Sequence, residues 1–159
     1  MFSKITKLTW MIRLFGMTKV AMIAYCRPHV IKFNETTLEI KIPLNRRTRN
    51  HINTMYFGAL SVGADITGGF LALSPIQKSK RKIILLFKDF NAKFLKRAES
   101  DVHFICKDGL AIKDLVDTAI TTQERQNYTL NIIAKTPKIS DDIVAEFKLT
   151  LSIKDYTNK

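Results

Sequence analysis

The sequence predicts an α+β domain in which a curved antiparallel sheet wraps one long buried helix. Three observations predict it. Across residues 54–76 the only charged residue is Asp65, so a helix there has no polar face to turn to solvent. Several later segments alternate apolar and polar residues, the signature of strands with one buried face. Finally, no repeat, low-complexity tract or Pro/Gly/Ser-rich linker divides the 159 residues, which suffice for one core without disulfides or structural metal.

Ser3 is placed to cap a first helix in which Ile5, Leu8, Ile12 and Phe15 recur at helical spacing. Gly16 predicts a break before a short second helix over 18–25, which Pro28 stops. From His29 the period changes: Asn34 and Glu35 predict a bend, after which Leu38, Ile40 and Ile42 alternate with Glu39 and Lys41. Beyond the long helix, residues 83–87 read as a buried strand that Ala92 and Phe94 continue. Val102, Phe104 and Cys106 then alternate with His103 and Ile105, and these two strands are expected to be neighbours. Asp108 and Gly109 predict a turn, and Ile112, Leu115, Val116 and Ala119 an amphipathic helix over 111–120. Two closing strands follow, one with Tyr128, Leu130 and Ile132 on one face, the other with Ala145, Phe147, Leu149, Leu151 and Ile153. The resulting division is a helical extension over 1–27 and a sheet-and-helix domain over 28–159.

Composition narrows the function classes. Cys26 and Cys106 are too few for a disulfide scaffold and lack zinc-site spacing, and His29, His51 and His103 stand apart, so no metal is expected. Residues 3–26 open like an export signal, with Lys4 and Lys7 ahead of Leu8, but Arg13 and Lys19 interrupt the apolar run. Tyr25 is too bulky for the position before a lipidated Cys26, and a cytoplasmic protein is expected. Twenty-six basic against 14 acidic residues give a net charge of +12, which must attract a polyanion: nucleic acid, an anionic membrane surface or a phosphorylated ligand. The basic residues accompany no helix-turn-helix, RNP-type or zinc-finger signature, so nucleic acid is not the expected partner. Trp10, Ile12 and Phe15, with Lys4, Lys7 and Arg13 beside them, could instead dock the first helix on anionic lipid.

The apolar segment is long enough to cross a membrane, but Gly58, Gly63, Gly68 and Gly69 interrupt it and Asp65 sits at its middle. A soluble alternative is a helix enclosed by a curved sheet, where the glycines allow close approach of strands or of a partner helix. That arrangement is the hotdog fold. The run NHINTMYFGALSVGAD, residues 50–65, resembles the motif at the helix start of hotdog acyl-CoA thioesterases of the phenylacetate-degradation type. There an asparagine precedes a Gly-Thr-x-His-Gly-Gly turn and an acidic residue follows on the helix. Asn50 falls on the asparagine, Thr54 on the threonine, Gly58 on the last glycine and Asp65 on the carboxylate. Asn53 stands in place of a glycine, Tyr56 of the histidine and Phe57 of the first glycine. These departures, together with NRRTRNH and FKDFNAKFLKRA, are more like a thioesterase-like branch of hotdog proteins known as a domain of unknown function, and the likeness covers residues 28–153.

The resemblance implies an acyl-CoA thioesterase, with coenzyme A as part of the substrate and no separate cofactor. In such a site the amides around Tyr56, Phe57 and Gly58 would polarise the thioester carbonyl. Asp65, its pKa raised by apolar surroundings, would be base or nucleophile. Asp65 lies nine residues beyond Tyr56, roughly 14 Å along a helix, too far for one helix to bring both groups to one carbonyl. The site therefore needs two subunits, as a homodimer or a dimer of dimers, which is also how the resembling family builds its sites. A structural reading of Asp65 is a buried carboxylate bonded to a turn or a partner hydroxyl. Asn50 could be a turn residue, Thr54 an N-cap, Tyr56 a core aromatic and His51 a loop histidine. Arg46, Arg47 and Arg49 form one basic cluster and Lys88, Lys93, Lys96 and Arg97 a second, both suited to coenzyme A phosphates. Phe57 and the missing histidine leave a second reading open, a non-catalytic hotdog protein that binds acyl-CoA or fatty acyl chains.

Overall fold

The computed structural model describes residues 3–157. Helix α1, Lys4–Thr18, starts where Ser3 Oγ accepts the Thr6 N–H at 3.1 Å, a serine N-cap of the expected kind. α2, Ala21–Cys26, folds back on it and ends at Arg27 in the left-handed region. The break lies at Lys19 and Val20, not at Gly16. Gly16 is inside α1, where a Cβ would stand 2.5 Å from the Ala24 nitrogen, so its smallness seats α2 against α1. Leu8, Ile12, Ile23 and Cys26 belong to the same hydrophobic core as the sheet, and the Val30 N–H donates to Thr9 Oγ1 at 3.0 Å.

The strands are β1, His29–Phe33; β2, Leu38–Ile42; β3, Ile83–Phe94; β4, Val102–Cys106; β5, Gln126–Thr136; and β6, Ser140–Asp155. They form one antiparallel sheet in the order β1-β2-β4-β5-β6-β3. The bend before β2 is an Asx turn: Asn34 Oδ1 accepts the N–H groups of Thr36 and Thr37. The inward rows follow the sequence alternation, with Leu38, Ile40 and Ile42 of β2, Phe104 and Cys106 of β4, and the row from Ala145 to Ile153 of β6 all buried. β3 departs from expectation twice. It pairs with β6, not β4, and it is an edge strand rather than a buried one, with Ile84, Leu86 and Phe90 exposed. Its register shifts between Phe87 and Phe90, where Asp89 Oδ1 accepts the Thr150 N–H at 3.2 Å. The crossover through the long helix carries β3 to the far edge of the sheet, a placement that local alternation does not encode.

That helix, α3, spans Phe57–Ser79 and lies in the concave face of the sheet, while α4, Gly109–Thr122, packs beside it over β5 and β6. α3 is the one helix among the described residues long and apolar enough to cross a membrane, and most of it is buried inside the domain. This is the hotdog architecture. Side chains, rather than strand backbones, fill the space left by the helical glycines: a Cβ on Gly63 would meet the Phe104 ring at 2.3 Å, and one on Gly68 would meet Leu130 Cδ1 at 2.8 Å. The sequence predicts burial all round the helix, and the structure departs from that. Ser61, Asp65, Gly69 and Leu73, one residue per turn at i, i+4 spacing, form a half-exposed stripe.

Phe104 is fully buried and has no free direction to move. Gly63→Ala should therefore destabilise the fold by about 1–3 kcal/mol through overpacking, read as a lower denaturant midpoint at unchanged m-value, whereas Gly69→Ala, whose Cβ would lie no nearer than 3.7 Å to Phe87, should be tolerated.

Candidate functional site

The loop before α3 is held by its own side chains. Asn50 Oδ1 accepts the N–H groups of Ile52 and Thr54, each at 3.1 Å, while Asn50 Nδ2 donates to Thr54 Oγ1 at 2.9 Å. The backbone closes the same turn, Asn50 N–H to the Thr54 carbonyl at 2.8 Å. Asn53 has φ 61°, in the left-handed region, which explains why the resembling motif carries glycine there and why asparagine can replace it. Thr54 is buried in this turn and is not the N-cap. The capping position belongs to Tyr56, which makes no side-chain cap bond. Asn50 and Thr54 thus shape the loop that aims the helix start.

The expected row of amide donors needs one correction. The Tyr56 N–H donates to the Thr48 carbonyl at 2.8 Å and is not free for a ligand. The N–H groups of Phe57 and Gly58, in the first turn of α3, have no acceptor among the described residues. The Tyr56 ring is no core residue: it is half exposed, lies 4.7 Å from the Phe57 ring, and covers Gly58, where a Cβ would come within 2.4 Å of it. Phe57 is 58% exposed, so two exposed aromatic rings stand at the start of α3 beside the free amides. Around them opens a cleft of about 600 Å³ lined by Asn50, His51, Phe57, Leu60, Phe94 and Arg97 among others. His51 is an exposed loop residue.

Asp65 opens onto a different cavity, of about 350 Å³, walled by Phe15, Ile23, Ile66, Phe70 and Leu85. Its carboxylate makes no hydrogen bond or ion pair with any described residue, and burial among apolar groups alone pushes its pKa up. Among the described residues neither a turn nor a hydroxyl bonds to it. Phe15, Val20 and Ile23 reach this cavity from α1 and α2. Sequence reasoning missed them because the contact depends on how the N-terminal helices fold across α3, with Phe15 edge-on to Phe70 at 5.4 Å.

The basic residues divide. Lys96 and Arg97 line the cleft at the start of α3, with Lys96 bound to Asp142 at 2.7 Å and Arg97 without a partner. Lys93 is exposed on the edge strand opposite Glu146 and does not line that cleft. Arg46, Arg47 and Arg49 are exposed and lie outside both the cleft and the cavity; Arg47 instead stands over the Tyr25 ring of α2 at 5.7 Å. Among the described residues no group of three or more His, Cys, Asp or Glu side chains is arranged to hold a metal ion.

Residues 9–153 match the DUF4442 family, described as a domain of unknown function. The chain belongs to that family. The matched region begins inside α1, so the N-terminal helices are largely part of it. No curated protein matches the sequence. Among solved structures, a protein of unknown function from Pseudomonas aeruginosa, described as a probable thioesterase, aligns with TM-score 0.76 at 22% identity over 95% of this chain and 96% of its own. A protein of unknown function from Chlorobaculum tepidum aligns with TM-score 0.79 at 13% identity, covering 94% and 96% respectively. A thioesterase from Haemophilus influenzae aligns with TM-score 0.68 at 16% identity, covering 98% and 93%. At these identities the likeness establishes the hotdog fold of the family.

Two outcomes test this geometry. A β-branched residue is strained where Asn53 sits, so Asn53→Val should cost about 1–2 kcal/mol in chemical denaturation while Asn53→Gly stays near neutral. The second concerns Asp65, whose raised pKa makes the folded protein bind its proton more readily than the unfolded chain does. Relative stability is then greatest in acid and is lost as pH rises through the raised value. Asp65→Asn should accordingly raise Tm at neutral pH, with a gain that shrinks as pH falls toward 3.8. A gain independent of pH would show that burial of the charge is not the cause.

Proposed function

We propose that this protein hydrolyses acyl thioesters, acyl-CoA being the substrate class its charge suits, at a site completed by a second copy of the chain. The observation that carries the proposal is the Asp65 carboxylate, partly buried among apolar groups yet without a hydrogen bond or ion pair among the described residues. Its separation from the free Phe57 and Gly58 amides supports the two-subunit form. The eight residues from Phe57 to Asp65 span about 12 Å along the axis at 1.5 Å per residue, and the two groups open onto separate hollows. The half-exposed stripe of α3 and the exposed edge of β3 supply surface for the pairing.

In this mechanism the thioester carbonyl oxygen lies against the Phe57 and Gly58 N–H groups of one subunit, where the helix dipole favours developing negative charge. Asp65 of the other subunit takes a proton from water, and the hydroxide adds to the carbonyl carbon. Collapse of the tetrahedral oxyanion breaks the C–S bond, and the thiolate takes the proton back from Asp65, giving a carboxylic acid and a thiol. Asp65 acting directly as nucleophile would pass instead through an anhydride that water hydrolyses. Arg97, exposed beside the amides, is suited to a phosphate of coenzyme A. The name thioesterase carried by two of the structural relatives agrees with this reading.

One observation favours a second reading, binding without turnover. Tyr56 and Phe57 put two exposed aromatic rings at the helix start where the resembling enzymes carry histidine and glycine. The two readings separate on one variant. Under the first, Asp65→Asn lowers kcat on a panel of acyl-CoAs by at least 100-fold, on the scale of a lost general base, with the oligomer intact by light scattering. Undiminished turnover would remove Asp65 from the chemistry, and saturable acyl-CoA binding with no product from the unaltered protein would leave the binding reading.

A further inference from the structure

We propose that α1 and α2 form a docking face for an anionic lipid bilayer. α1 is apolar on two opposite sides. Leu8, Ile12 and Gly16 face the core, while Trp10, Leu14 and Met17, at i, i+4 and i+7, form a second stripe that is 57%, 57% and 64% exposed. Ile12, grouped with the lipid-facing side from sequence, is on the core side with no exposed surface. α2, packed against α1 through Gly16, adds exposed Met22 and Tyr25. A monomer's surface seldom groups so many large apolar side chains without a partner.

Charge identifies the partner. No acidic residue precedes Glu35, whereas Lys4, Lys7, Arg13, Lys19, Arg27 and Lys32 all do. The fold occupies two of these, Lys4 over the Phe33 ring and Arg13 on the Pro28 carbonyl and the His29 ring. Lys7, Lys19, Arg27 and Lys32 remain exposed without an ion-pair partner among the described residues. Lys7 lies on the exposed side of α1, at i−3 from Trp10 and i−7 from Leu14. Arg47, over Tyr25, brings the basic loop with Arg46 and Arg49 to α2. A face that is apolar at its centre and exclusively cationic along its segment suits acyl chains beneath anionic headgroups. A second copy would bring the same uncompensated positive charge against it. At 15 residues α1 is too short to cross a bilayer and would lie in its plane. Phe15 and Val20 also wall the cavity at Asp65, so the docked face adjoins the candidate site without depending on any reaction there.

The test uses the full chain, because deleting α1 would strip Leu8 and Ile12 from the core. Co-sedimentation with vesicles of phosphatidylcholine containing about one third phosphatidylglycerol is compared with pure phosphatidylcholine, at low and high salt. Binding is expected to the anionic vesicles and to weaken in high salt. The Trp10→Ser, Leu14→Ser, Met17→Ser triple variant should bind at least tenfold more weakly, since each apolar side chain contributes to insertion. Lys7→Gln with Lys19→Gln should weaken binding roughly 30-fold by removing two charges. Unchanged far- and near-ultraviolet circular dichroism identifies folded variants, and the charge pair leaves the apolar surface intact. No sedimentation of the unaltered protein with anionic vesicles overturns the proposal, as does undiminished binding by both folded variants. A triple variant that changes only the oligomeric state by light scattering makes the face a contact between copies and overturns it equally.

Discussion

Everything in this molecule is arranged around the burial of α3. A helix from Phe57 to Ser79 with one charged residue in its first twenty has no stable place in water, and a curved sheet supplies most of the apolar surface it needs. The small residues determine how closely that surface approaches: Gly63 accepts the Phe104 ring and Gly68 accepts Leu130, so the sheet closes on the helix without voids at those points. The same enclosure leaves a stripe through Asp65 only partly buried.

The candidate site is a consequence of that geometry. Burying the body of α3 puts its first turn at the rim of the domain, where the Phe57 and Gly58 amides have no acceptor among the described residues. The Asn50 to Thr54 turn, with its left-handed Asn53, sets the direction in which that turn points. Two turns further on, Asp65 faces an apolar hollow in which no cation or donor among the described residues offsets its charge. An unpaired carboxylate costs stability wherever it is partly desolvated, and such a cost is most readily understood where the group has work to do. The fold and the site are therefore linked through one element.

Resemblance and geometry qualify one another. Membership of the DUF4442 family stands beside three departures from the phenylacetate-type motif, at Asn53, Tyr56 and Phe57. One of them is conformationally silent, since asparagine occupies the left-handed region at small cost. The other two add a pair of aromatic rings at the helix start, with the Tyr56 ring against Gly58. The N-terminal helices contribute part of the core and one wall of the Asp65 cavity, so they are structural members of the domain as well as its most cationic segment.

Local patterns in the sequence determined the element types, the Ser3 cap, the inward rows of β2, β4 and β6, the buried helix and the residues at its start. Each of these depends on neighbours within a few positions, where periodicity and hydrogen-bonding habit operate. Tertiary structure alone decided that β3 lies at the sheet edge beside β6, that Gly16 seats a second helix rather than ending the first, and that Ile12 faces inward. It also decided which members of each basic cluster approach the cleft: Lys96 and Arg97 do, and the Arg46 to Arg49 loop turns toward Tyr25 instead. These outcomes depend on which surfaces meet across long stretches of chain, and residues with the same local pattern can be buried or bare according to what the rest of the molecule lays over them.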